Sequence, residues 1–569
     1  MLIHSVKNKF QSGLGKFFSS SAIASISALL LLSGCGENRQ VEPAQAPPIS
    51  ASWEKNFGAP TSAKPMTNFA AQRFLEHTSF GPTPTSIAEL KSFGMNAWID
   101  QQFAAPVSQI DASFSENWDS NETPGLSGRP YFELFEKKFI GLSLSAPDQL
   151  RLRTTWGLSQ FIVVSELKVQ SFAIAQYFNT VQNQAFGNFA DLLRAVAKSP
   201  SMGAYLDNIS NKKEGICDSC SVNENFAREL MQLFTLGVVK LNKDGSLMRD
   251  ANGKLLETYT QDDVQAMARA LTGWDLLARE KAPPFLRTST FRYPLLANWK
   301  EAHDTAEKKL LGKTIAAGGT AEQDLESVIT ILMNHPNIAP FVSTRLIQHF
   351  VTSDPSPAYV KRVASLFENN GQGVRGDLKA LLKAILLDDE ARRGDDATLA
   401  DNHVGKVREP ALFKLFMLRG MGCQMALTNP DGALDGVGNQ KPFNPASVFS
   451  FFSPTYRAPG SMLLSPEQKL LTSSEFSARL GGISWIARES PQSFKEAGCH
   501  FDEFVDAYKK SKRDFINLVS ARYFRGAMSP PLRDSAEKVI DRITWDTTES
   551  RVAYVLQFIL ATPSFGVIK

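Results

Sequence analysis

The sequence predicts a mainly α-helical protein: a multi-helical globular body with one or two small inserted β-hairpins. Three observations predict it. Apolar residues recur with a 3.6-residue period in many segments. Glycine and proline stop signals separate those segments. One stretch, 238–259, carries two turn dipeptides and no helical period.

Taken in order, helices are expected over 68–77, 149–164, 189–197, 224–236, 261–271, 324–333, 341–351, 358–367, 377–387, 410–419 and 549–560. The stops between them are Gly81-Pro82, Ser199-Pro200, Gly237, Gly273, His335-Pro336 and Asp354-Pro355. In the exceptional stretch, Asp244-Gly245 and Asn252-Gly253 favour the positive φ angles of hairpin turns. Asp250-Ala-Asn252 faintly echoes a calcium loop but lacks its ligand spacing and distal glutamate, so it reads as a turn.

Residues 1–34 carry Lys7, Lys9 and Lys16 and no acid, then an uncharged, largely apolar run to Leu32. That run is short of the ~20 apolar residues a membrane-spanning helix needs and has the form of a signal peptide. Leu32-Ser33-Gly34-Cys35 resembles the bacterial lipobox. By that resemblance Cys35 is lipidated and becomes the first mature residue, and Gly36 beside it favours the outer membrane. Residues 35–65 read as lipidated cysteine and tether, and 66–569 as the helical domain. The formal charge of +3 leaves with the leader's three lysines. The rest is neutral, which gives no electrostatic footprint for nucleic acid. No cofactor is expected.

The segment 223–237 is the most informative. At 100° per residue, Phe226, Leu230, Leu233 and Phe234 form a core stripe. Asn225, Arg228, Glu229 and Gln232 share another face. Asn223 suits an N-cap, Glu224 stands four residues before Arg228 for an ion pair, and Gly237 suits a helix stop. The polar face is either structural or a site in which Glu224 and Glu229 work as acid and base, oriented by Arg228. A second candidate is His303-Asp304, although neighbours on an extended chain need not pair. His335 either caps a helix or binds. His349 reads as a packed core residue. The aromatic run 442–456 reads as a loop wedged into the core, with stacking on sugar rings as its alternative.

Cys217-Asp-Ser-Cys220 admits a redox pair, a metal pair or a structural bridge. Strong zinc signals need a second pair or spaced histidines, so no metal is expected.

Beyond these readings, the chain resembles the bacterial family known as domain of unknown function 1800. The resemblance rests on Ala71-Gln-Arg-Phe74 with Phe80-Gly-Pro-Thr83, Trp98-Ile-Asp-Gln-Gln102, 185–188, 199–207 and, most specifically, 223–234. It continues through Leu271-Thr-Gly-Trp274, His303-Asp304, His335-Pro336, Arg408-Glu-Pro410 and 445–449. It implies a helical exported protein and supplies no activity or catalytic residue. It also implies a neighbouring exported protein similar to sulfatases as a partner. The cysteine-bearing loop before Asn223 departs from the family's shorter loop.

Two functions are expected to compete. One is a lipid-anchored envelope protein that binds or assembles with another exported protein or an envelope polymer. The other is a hydrolase or lyase on a polysaccharide-like polymer, with Glu224, Arg228, Glu229, His303 and Asp304 in one cleft and Asn223, Asn225, Gln232 and His335 binding. No nucleophile elbow, phosphate loop, zinc helix or dinucleotide fingerprint is present.

Overall fold

The computed structural model describes residues 66–111, 129–169, 171–218, 220–276, 296–396, 405–424, 440–484, 491–544 and 547–568. The leader, Cys35 and the tether lie outside these residues. Pro65–Lys569 forms one compact unit. Its secondary structure is helical apart from three two-stranded antiparallel sheets among the described residues.

Helix boundaries follow local chemistry. Asn68–Thr78 starts at Thr67, whose hydroxyl accepts the Ala70 amide. Phe189–Ala197 starts at Asn188 in the same way. Gln261–Ala270 and Ala321–Asn334 both open with reciprocal capping boxes, at Thr260 and Thr320. Leu378–Leu387 is capped by the Asp377 carboxylate. The helix expected over 149–164 stops at Ser159. No described helix is long and apolar enough to cross a membrane.

The expected hairpin region 238–259 forms turns joined by isolated antiparallel bridges, Val239 with Glu257, Leu241 with Leu247 and Arg249 with Leu255. Gly245 and Gly253 take φ of 80° in those turns. The Asp250 carboxylate accepts the Asn252 and Lys254 amides, which is turn chemistry. Laddered strands lie elsewhere. Lys308–Leu310 pairs with Lys313–Ile315 around Leu311-Gly312, both left-handed. Lys406–Val407 pairs with Val567–Ile568.

A contiguous apolar core runs through the unit. At its centre Phe443 packs edge-on against Phe135, Phe139, Trp156 and Phe178, with ring centroids 5.5–6.4 Å away. Buried charge ties distant segments together. The Glu76 carboxylate accepts from Arg408 at 3.1 Å and, bidentately, from Arg525 at 2.8 and 2.6 Å. Burial works to raise the Glu76 pKa, but Arg525 and Arg408 outweigh it and hold it low. Cys217 is bonded to Cys220, and Cys423 to Cys499.

Candidate functional site

The 223–237 segment is not one regular α-helix. Asn225–Glu229 is α-helical, and Leu230–Thr235 is a π-helix. The Leu236 amide donates to Met231 O and the Thr235 hydroxyl to Leu230 O, both five residues back. π segments are rare and concentrate at functional sites. The wider turn breaks the 100° wheel. Phe226, Leu230 and Phe234 stay buried, while Leu233 is partly buried, packing against the core and lining a cavity beside Gln232.

The sequence-predicted residues disperse. Glu224 pairs with Arg228 at 2.8 Å, and the Gln261 amide donates to the same carboxylate. Asn223 accepts the Asn225 amide, and the Asn225 side chain donates to Asp207. Asp304 is held bidentately by Arg269 at 2.7 and 3.3 Å. Burial works to raise its pKa, but Arg269, the Ala306 amide and Lys308 bring it below the usual carboxylate value. Gln261 and Arg269 sit eight residues apart on one helix, roughly 12 Å of axis. His303 is buried, with Nδ1 2.9 Å from Thr272 O and Nε2 3.4 Å from Asp324. His303 and Asp304 therefore face different partners. His335 ends Ala321–Asn334, and its Nδ1 accepts the Asn337 amide. Burial, aided by Lys240, lowers its pKa.

Glu229 is the exception among the sequence-predicted carboxylates. It is 7 % exposed, and its Oε2 has no hydrogen-bond partner among the described residues. Burial raises its pKa despite Arg228. Burial, helped by the same carboxylate, pushes the Tyr205 phenol up to about 12.

Hollows separate the remaining predicted binders. Asn223 borders one of about 580 Å³ beside Cys220. His335 borders another of about 480 Å³. Gln232 alone of the predicted set lines the cavity of about 120 Å³ beneath the π segment.

That cavity has the densest chemistry. Ile338–Phe350 presents Phe341, Arg345, Gln348 and His349 at i, i+4, i+7 and i+8, one helical face. Opposite, Gly157 gives the His349 ring its room, since a Cβ there would meet His349 Cδ2 at 2.5 Å. Gln160 and Phe161, which follow the Gln149–Ser159 helix, extend the wall. Phe449 and Phe452 close it from the aromatic run. The run thus divides, with Phe443 in the core and Phe449 56 % exposed at the cavity.

The floor is a buried ion cluster. The fully buried Lys406 ammonium lies 3.2 Å from Glu409 Oε1 and 2.9 Å from Glu467 Oε1. It also donates to the carbonyls of Gln348 and His349. Glu409 Oε2 accepts from Gln440 at 2.7 Å, and Glu467 Oε2 from Ser353 at 2.7 Å. All four carboxylate oxygens are thus partnered. Arg153 donates to His349 Nε2, which places the ring proton on Nδ1, facing Glu409 at 4.0 Å. Burial, with Arg153 and Lys406 close by, holds the His349 pKa well below its usual value, so the ring is neutral.

Arg345 differs from these. It stacks over Phe341 at 4.8 Å, and its one side-chain hydrogen bond runs from Nη1 to Gln348 at 3.2 Å. No carboxylate lies within 4 Å of it among the described residues. Burial lowers its pKa to about 10, so it stays charged at neutral pH.

Sequence reasoning missed Arg345, Lys406, Glu409 and Glu467. The signal available was the Phe341–His349 helical face and the Arg408-Glu-Pro410 motif. No group of His, Cys, Asp and Glu among the described residues is arranged to hold a metal ion.

Fold and cavity together define a multi-helical protein whose single contiguous core supports a recessed, aromatic-walled pocket over a neutralised ion cluster. Residues 73–567 match the family described as Protein of unknown function (DUF1800), and the chain belongs to it. No curated protein and no solved structure matches the chain.

Proposed function

We propose that this chain is an exported lipoprotein of the bacterial cell envelope, anchored through Cys35 in the outer membrane, that binds an envelope component without transforming it. The leader and lipobox support the address. The observation that carries the binding reading is the cavity floor. Each oxygen of its two carboxylates already accepts a hydrogen bond and both share one lysine, which favours their charged forms and works against proton transfer. The walls offer aromatic faces and amides, the usual means of holding a ligand in place. The component is an end group of an envelope polymer or of a partner such as a sulfatase-like exported protein.

One observation favours the hydrolase or lyase alternative. Glu229 is a buried carboxyl with a raised pKa and an unpartnered oxygen, the condition of a general acid.

The test uses the full-length protein in detergent with polysaccharide fragments from the envelope. Hydrogen exchange and release of new reducing ends are followed together. Binding predicts slowed exchange around Gln160, Gln232 and Arg345 with no new ends. New ends that vanish in Glu229→Gln would move the conclusion to the enzyme reading, and unchanged exchange would refute the cavity as a site. Labelling with an alkyne fatty acid checks the anchor, which Cys35→Ser must abolish.

A further inference from the structure

The cavity also carries information about what fits it. We infer that it takes a monoanionic carboxylate borne on a group of about one six-membered ring, gripped by Arg345; this rests on the reading that the cavity is a ligand site.

Charge comes first. Around the cavity Arg153, Arg345 and Lys406 are cationic, Glu409 and Glu467 anionic, and His349 neutral. One positive charge is left over. Lys406 and Arg153 together balance Glu409 and Glu467, Arg153 acting on Glu409 beside the neutral His349 ring. The surplus therefore resides functionally on Arg345. A single anionic charge completes the site. A dianion would need a second available cation, and would face Glu409 and Glu467 as well.

Geometry selects the carboxylate. The guanidinium plane is fixed by stacking on Phe341 and by the Nη1 bond to Gln348. Its Nε and Nη2 donate to no acceptor among the described residues. Those two parallel N–H groups match the two oxygens of a carboxylate. Gln160 and Gln232 add donors. Each accepts a hydroxyl at 3.4 Å through Oε1, from Ser450 and Tyr259 respectively, which leaves its amide nitrogen without a protein acceptor among the described residues.

Size and walls select the rest. The space is about 120 Å³, close to the ~150 Å³ of a cavity that accepts benzene. Phe161, Phe341, Phe449 and Phe452 supply flat apolar faces. A ring enters between them, and its carboxylate reaches Arg345. The exposed side chain of Phe449 at this wall leaves the ring's far side continuous with solvent, as an end group on a longer chain requires.

The experiment measures binding of four probes to the full-length protein by calorimetry. They are benzoate, D-glucuronate, benzyl alcohol and inorganic phosphate. At least one carboxylate probe is expected to bind, and both neutral alcohol and phosphate to bind at least tenfold more weakly, a difference of about 1.4 kcal/mol. Arg345→Gln is expected to abolish carboxylate binding and Arg345→Lys to retain part of it, with thermal midpoints of the unliganded variants checked against wild type. If Arg345→Gln does not fold, the lysine variant decides: binding equal to wild type refutes the bidentate grip. Benzyl alcohol binding as tightly as benzoate would overturn the charge assignment while leaving the cavity a ligand site. Arg345-dependent phosphate binding without carboxylate binding would overturn the carboxylate. Binding of none of the four would overturn both the ligand class and the cavity as a site.

Discussion

Replacing Lys406 with methionine removes the one cation that two buried glutamates share. At 2.9 and 3.2 Å, each attraction is about 5 kcal/mol gross at an effective dielectric constant of 20. Desolvating the lysine offsets most of this. In its absence Glu409 and Glu467, which lie at most about 6 Å apart by their common reach to Nζ, repel by about 3 kcal/mol on the same scale. Breaking a buried pair from one side typically costs about 3–5 kcal/mol, and that is the loss expected here. The pH dependence is the diagnostic part. With no counter-ion, one of the two carboxyls acquires a folded-state pKa above its unfolded value. Its neutral form is then compatible with folding below the unfolded pKa, and the compatibility is lost as pH rises through the folded pKa. The gap between wild type and Lys406→Met should therefore be small near pH 4.5 and widest at pH 8. Urea denaturation across that range measures it. Adding Glu409→Gln and Glu467→Gln should recover much of the loss. A gap under about 1 kcal/mol at pH 8, or one that does not change with pH, would refute the argument.

Three further outcomes are expected. Glu229→Gln removes a carboxylate whose folded pKa is raised by burial. It should stabilise the protein by about 1 kcal/mol at pH 8, and the gain should fade as pH falls below the folded pKa; equal stability at all pH values would count against a strained carboxylate. The disulfides should separate under mild dithiothreitol, because Cys217 is exposed whereas Cys423 is 2 % exposed. Mass spectrometry should find Cys217–Cys220 reduced first. Removing Cys423–Cys499, with its sequence separation of 76, should cost about 4.5 kcal/mol on the chain-entropy estimate. Survival of the first bridge after loss of the second would contradict this order.

The helical class was legible, and where a helix was read its bounds were close, because the signals are local. Phe189–Ala197 falls on its expected bounds, and most others fall within a few residues. Helices over Pro84–Phe93, Met95–Ala104, Arg129–Ser145, Ser171–Gln184, Ser473–Ser484, Phe501–Lys510, Lys512–Tyr523 and Pro530–Arg542 went unread; in Arg129–Ser145 and Ser171–Gln184 buried polar residues, Glu136, Ser143 and Gln182, interrupt the apolar period. The site was less legible. A π turn cannot be seen in residue types alone, since it differs from an α turn by one residue of winding. Lys406, Glu409 and Glu467 come together only because a short strand, a helix start and a loop turn happen to converge. Arg345 and His349 share a face, but its apolar neighbours made the histidine read as core. Glu229 was read as one member of a polar face; in the structure it alone of that face is buried, while Asn225, Arg228 and Gln232 stay partly exposed.

The Glu76 cluster has a consequence for the order of events in synthesis. This carboxylate belongs to the first helix of the body, and its partners, Arg408 and Arg525, lie 332 and 449 residues downstream. The strand beginning at Lys406 is completed by Val567–Ile568, at the very tail. Until residues 408 and 525 emerge, the Glu76 carboxylate lacks the two arginines that hold it, and until Val567–Ile568 emerges, Lys406–Val407 has no strand beside it. The first helix is therefore kept from settling early: a chain cut before Arg525 should emerge loosened around Glu76, and one cut before Val567 loosened around Lys406–Val407.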